Sequence, residues 1–107
     1  MSSRVRVYSI DELDVALEKV RPPNLVASGT CTTTTPGVTD VQLEARIYVE
    51  PPSDGIQELE LMATPPGGPA PQVLHPGVPF NGRFDSIPTW CKGIRVIAAA
   101  NTMEWRL

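Results

Sequence analysis

From Val41 to Glu50 the sequence VQLEARIYVE alternates without a break, with Val41, Leu43, Ala45, Ile47 and Val49 on one side and Gln42, Glu44, Arg46, Tyr48 and Glu50 on the other. A period of two belongs to an extended chain, so the run predicts a strand with one face on a core and the other in water. A helix would spread the same five apolar residues around its circumference. The remaining sequence must therefore cover that face.

Several other stretches have the same character. Leu25 to Thr34 carries β-branched threonines and light residues on both faces, and Pro36-Gly37 supplies a turn before the organising strand. After a turn at PPSDG, Leu59, Leu61 and Ala63 alternate with Glu58, Glu60 and Met62, which completes a hairpin. Phe80 to Ile87 alternates again. Cys91 to Ala100 is the most apolar run and is expected as a strand covered on both sides or sitting at the core centre, and Met103, Trp105 and Leu107 return beside it after a turn at Asn101-Thr102.

The N-terminal part reads differently. Residues 4 to 8, RVRVY, suit a short strand or arm. Ser9 then opens the capping-box pattern S-I-D-E, and Ile10, Leu13, Leu17 and Val20 share a helical face, which predicts a helix of about three turns ended by Pro22 and Pro23. The 12 prolines and 8 glycines in 107 residues suit many short strands better than long helices, and this length suits one domain.

The closing segments FNGRFDSIP, CKGIRVIAAANT and MEWRL resemble those of an immunoglobulin-like or fibronectin-III-like β-sandwich. With the reading above, the resemblance implies a mainly β chain: an N-terminal strand or arm plus short helix over residues 1 to 23, then an antiparallel immunoglobulin-like β-sandwich domain over 24 to 107. In immunoglobulin domains two cysteines link the sheets. The resemblance thus makes Cys31 and Cys91 a candidate disulfide, the alternative being two buried thiols, which the lack of an export signal favours.

Little in the chain points to catalysis. A Cys–His nucleophile needs His75 beside a cysteine, but His75 lies in a proline-rich stretch with no orienting third group. One histidine, two distant cysteines and scattered carboxylates give no metal-ligand spacing. Glu58 and Glu60 with Glu44 and Glu50 form an acidic group suited to Ca²⁺ or to acid–base work, although a solvated sheet face is the simpler account. PPGGPAP lacks the lysine and following helix of a phosphate loop. The expectation is no enzyme, no catalytic or metal residues and no cofactor.

A formal net charge of −3 argues against nucleic acid, although Arg4, Arg6 and Arg21 make the N-terminal end locally basic. No run approaches the ~20 apolar residues that cross a bilayer, and the first residues lack the apolar core of a signal peptide, so membrane insertion is not expected.

The chemistry left is recognition. Residues 64 to 79 hold six prolines in sixteen positions. Such a segment is either a contact loop, with Val73, Leu74, His75 and Pro76 as its anchors, or an irregular edge strand. Trp90 and Trp105 are core residues or interface anchors. The expected function is a non-enzymatic protein-interaction or structural module with a protein partner or self-assembly. Small size and acidity also suit a subunit of a larger assembly, such as a particle-decorating or virion structural protein. The alternative is a small ligand-binding or inhibitory module that engages a carbohydrate or an enzyme cleft through the proline-rich loop.

Overall fold

The computed structural model describes residues 4–69 and 71–107. Eight strands follow in chain order: β1 (Val5–Arg6), β2 (Ser9–Glu18), β3 (Asn24–Thr33), β4 (Thr39–Ala45), β5 (Ile56–Thr64), β6 (His75–Phe84), β7 (Gly93–Ile97) and β8 (Thr102–Arg106). They form two sheets. In the five-stranded sheet β5 pairs with β4 on one side and with β7 and the short β1 on the other, and β8 lies beyond β7; the three-stranded sheet has the order β2-β3-β6. Every ladder is antiparallel except β5–β7, where Leu59 lies beside Val96 in a parallel pair. The fold is mainly β and compatible with a β-sandwich, but the parallel ladder departs from the antiparallel sheets of immunoglobulin domains.

Alternation explains the core. Ile10, Leu25, Ala27, Cys31 and Phe80 of the smaller sheet join one buried cluster with Leu59, Leu61, Ala63, Ile94 and Val96 of the larger. The chain also stitches the sheets together near its start. The Val7 N–H donates to the Leu61 carbonyl and the next N–H, of Tyr8, donates to the Thr32 carbonyl, both at 3.0 Å, so consecutive residues bond to opposite sheets. Close by, the Asn101 side chain both accepts from the Ile10 N–H and donates to the Ile10 carbonyl, each at 2.8 Å, in place of a strand neighbour.

The helix expected from Ser9 onwards is not there. Residues 9 to 18 are β2, paired along its length with β3, and a register shift between Ile10 and Glu12 marks a bulge. An extra residue at a bulge shifts the phase of a period-two pattern, so the spacing from Ile10 to Leu13 becomes three and imitates a helix. Beyond the bulge Leu13 and Val15 pack against the core in ordinary strand alternation. Asp11 gives the reason for S-I-D-E: its carboxylate accepts from Ser9 Oγ at 3.0 Å and from Thr32 Oγ1 at 2.7 Å, which holds the bulge rather than a helix cap.

The organising strand is also shorter than its pattern. β4 ends at Ala45, after which the Arg46 N–H makes a last ladder bond to the Glu58 carbonyl. Two side chains then take over: buried Gln57 donates Nε2 to the Arg46 carbonyl at 2.9 Å, and the Glu58 N–H donates to the Tyr48 hydroxyl at 3.1 Å. Deprived of backbone partners on β5, residues 47 to 50 leave the sheet. Ile47 and Val49, expected on the core face, are 94% and 102% exposed.

Candidate functional site

The outer face of the larger sheet carries Glu44, Glu58 and Glu60, three of the four carboxylates that the sequence left open as a cation or acid–base site, and Glu50 lies beyond the end of β4. Each of these three is interleaved with arginine, whereas Glu50 has no ion pair among the described residues. Glu58 meets Arg46 at 2.6 Å and Arg95 at 3.1 Å; Glu60 meets Arg6 at 3.3 Å and Arg46 at 3.6 Å; Glu44 meets Arg4 at 2.8 Å. These arginines stand at outward positions of the alternating runs, in RVRVY, EARIY and GIRVI, so the pairing was readable as charge of both signs on one strand face. Among the described residues no three His, Cys, Asp or Glu side chains group as metal ligands.

Arg95 is the hub of this face, reaching Glu104 at 2.8 Å and Asp54 at 3.2 Å besides Glu58. Hydrogen bonds from Arg95 and then Arg106 hold the Glu104 carboxyl below its ordinary range, and Asp54 is lowered first by the Ile56 N–H and then by Arg95. A carboxyl whose folded-state value is depressed adds stability above its unfolded value and loses it as pH falls through the folded one. Arg95→Gln should therefore lower the melting temperature most at neutral pH and less in acid; a deficit that stays constant down the acid range would show that Arg95 acts by packing alone.

Cys31 and Cys91 are both buried and unbridged. Cys31 lies on β3 in the smaller sheet, while Cys91 precedes β7 and donates its thiol to the Gly93 carbonyl at 3.3 Å. The structure thus has the two-thiol alternative and not the disulfide. Burial, with a lesser push from Asp11, raises the Cys31 thiol to about 11, so it stays protonated at neutral pH and is a poor nucleophile. A thiol reagent should label Cys31 in the native protein only at the rate of unfolding, and the folded state should lose stability as pH rises from the ordinary thiol range towards about 11, because only the unfolded thiol then gives up its proton. Fast native labelling at neutral pH would refute this.

The proline-rich segment divides in two. From His75 it is strand, with Pro79 opposite Thr30 and Val78 opposite Cys31 on β3. Because β6 has one strand neighbour, its prolines sit on an edge where no central ladder is interrupted. Before β6, Thr64 ends β5, and residues 65–69 and 71–74 are irregular and tied to the body at Pro71, whose carbonyl accepts from Thr35 Oγ1 at 2.7 Å. Val73 and Leu74 are 58% and 53% exposed, and His75 and Pro76 are exposed beside them. These four make one continuous strip.

Trp105 does not join them. It lies half-buried on β8 opposite Ile94, packed against the core, with β7 and β5 between it and β4, which neighbours β6. Trp90 stacks edge-to-face on Tyr48 with ring centres 5.9 Å apart. The strip that sequence reasoning missed is Ile47 and Val49. Its signal was there, since Pro51 and Pro52 follow directly and end any ladder, but a matching pattern alone hides where a strand loses its partner.

Two open depressions of about 370 and 310 Å³ lie on the surface, the first beside Asp40, Gln42 and Asn81 and the second beside Tyr48 and Arg95, while the space between the sheets is small. An apolar cavity of about 30 Å³ opens there beside Leu43, Gly82 and Phe84, little more than a water's space. Comparison with protein-family models, curated proteins and solved structures found no match for the chain.

Proposed function

We propose that the protein is a non-enzymatic protein-interaction or structural module, a subunit of a larger assembly of the particle-decorating or virion structural kind. The observation that supports this is the exposure of Ile47 and Val49, with Val73 and Leu74 as a second strip, on a chain whose outward arginines and glutamates are largely paired with one another. Branched apolar side chains held in water gain by being covered, and grouped ones mark contact surfaces. The scaffold that goes with this reading is an immunoglobulin-like sandwich; the antiparallel β2-β3-β6 sheet supports it and the parallel β5–β7 ladder speaks against it.

A second reading, a small ligand-binding module, draws on one feature. A depression of about 310 Å³ lies among Tyr48, Pro52, Asp54, Glu58 and Arg95, where an aromatic ring stands beside hydrogen-bonding groups as a saccharide would need. Sedimentation and light scattering of the pure chain over a range of concentration, with and without an oligosaccharide panel, separate the two. Association into larger species supports the module. A monodisperse monomer that binds a saccharide, with chemical shifts moving at Tyr48 and Trp90, overturns it in favour of the second reading.

A further inference from the structure

We infer that the segment Arg46 to Glu50 binds a second copy of this chain, the two copies running antiparallel about a two-fold axis at Tyr48. This deepens the module reading and rests on it. Three observations carry it. The first is the backbone: among the described residues, none of Ile47, Tyr48, Val49 and Glu50 makes a backbone hydrogen bond within the chain, so their donors and acceptors are open to an added strand, and pairing straightens the bend at Val49 and Glu50. The second is exposure. Ile47 and Val49 are β-branched, suited to a strand, and almost wholly in water.

The third is self-complementarity, which selects the second copy over a foreign strand. With Tyr48 on the axis, Ile47 of each copy lies opposite Val49 of the other, and Arg46 lies opposite Glu50. Apolar residues meet apolar ones and opposite charges face each other. Glu50 has no ion pair among the described residues, and the Arg46 side chain, although it touches Glu58 and Glu60, remains half exposed. Neighbouring registers are worse. An axis at Ile47 sets Glu44 against Glu50, a like-charge pair, and an axis at Val49 sets Ile47 against Pro51, which has no N–H to give.

The same residues limit the assembly. In the Tyr48 register Pro51 falls opposite Ala45, so the ladder ends after five residues, and the isologous contact closes on itself without propagating. An interface this short gives a reversible dimer rather than a permanent one. Tyr48 keeps its contacts within its own chain, since its hydroxyl holds the Glu58 N–H and its ring packs on Trp90, and this fixes the direction in which the segment is presented.

The test is sedimentation of the pure chain across concentration, with disulfide trapping to read the register. Wild type should pass reversibly from monomer to dimer, and Ile47→Ser/Val49→Ser should stay monomeric with an unchanged melting temperature. Residues directly opposite in an antiparallel pair lie within the Cα separation of about 7 Å that a disulfide spans, whereas Ile47 and its own copy are offset by two residues and fall outside it. Ile47→Cys mixed with Val49→Cys should therefore cross-link on mild oxidation, and each alone should not; the buried native thiols do not compete. A wild type that remains monomeric at every concentration overturns the inference. So does a dimer that survives the double serine variant, or one that cross-links equally in each single variant, and that result leaves the module reading standing. Failure of the module reading itself looks different: a monomer that binds a saccharide.

Discussion

Leu61→Ala should destabilise the folded chain by about 3 kcal/mol, within the range for leucine truncation in a core that cannot fully collapse. Leu61 is fully buried on β5, opposite Leu43 of β4, and its carbonyl accepts from the Val7 N–H as the chain passes between sheets. The strands on either side of it are fixed by their ladders, so the lost methyl groups leave a cavity. For a domain of this size the melting temperature should fall by more than about 10 °C. Leu74→Ala, at a half-exposed position, is the control and should move it by about a degree or two, as surface substitutions do. Equal shifts for the two variants, measured by thermal unfolding under one set of conditions, would show that Leu61 does not stand in a packed core.

Gly29→Ala should be at least as severe, for a different reason. A Cβ placed on Gly29 would overlap the Glu12 carbonyl oxygen and come to 2.8 Å from its carbon, with Phe80 Cζ at 3.0 Å. The obstacle is backbone, not the end of a flexible side chain, so relief requires that β2 move away from β3 at the bulge. Overpacking of a rigid site costs about 1–3 kcal/mol and sometimes more. Displacing β2 also disturbs the Asp11 bonds to Ser9 and Thr32 that hold the bulge. The expected result is a melting temperature lowered at least as far as in Leu61→Ala, with amide exchange fastest along residues 9 to 18. Gly68→Ala, where a Cβ would meet nothing within 4 Å, should be silent. If Gly29→Ala melts like wild type, the close approach of β2 and β3 is not as described.

The two surfaces assigned to recognition respond to different variants. Losing Val73 and Leu74 side chains should spare the dimer, since that strip lies on β6 and its approach, whereas losing Ile47 and Val49 should remove it. Neither pair belongs to the buried cluster, so neither should unfold the protein.

Much of the fold was written in the sequence, because alternation is a local property. The hairpin of β4 and β5, the buried β7 and the return of β8 all follow from which side chains share a face, and Leu59, Leu61, Ile94 and Val96 are buried as their runs required. The prolines likewise marked an edge or loop, and the structure made their segment partly each. What one sequence cannot encode locally is partner and phase. A single inserted residue at the Ile10–Glu12 bulge changed a strand's period into the likeness of a helix, and only its neighbour β3 fixes it as a strand. The alternation through Ile47 and Val49 is unbroken, yet those residues lie in water, because Gln57 and Tyr48 take the hydrogen bonds that would have carried the ladder onward. The parallel pairing of β5 with β7, the lattice of arginines and carboxylates, and the separation of Trp105 from the proline-rich strip arise in the same way. They join residues tens of positions apart, and such contacts are decided when the two sheets close on one core, where burial and hydrogen-bond satisfaction outweigh the preferences of any single stretch.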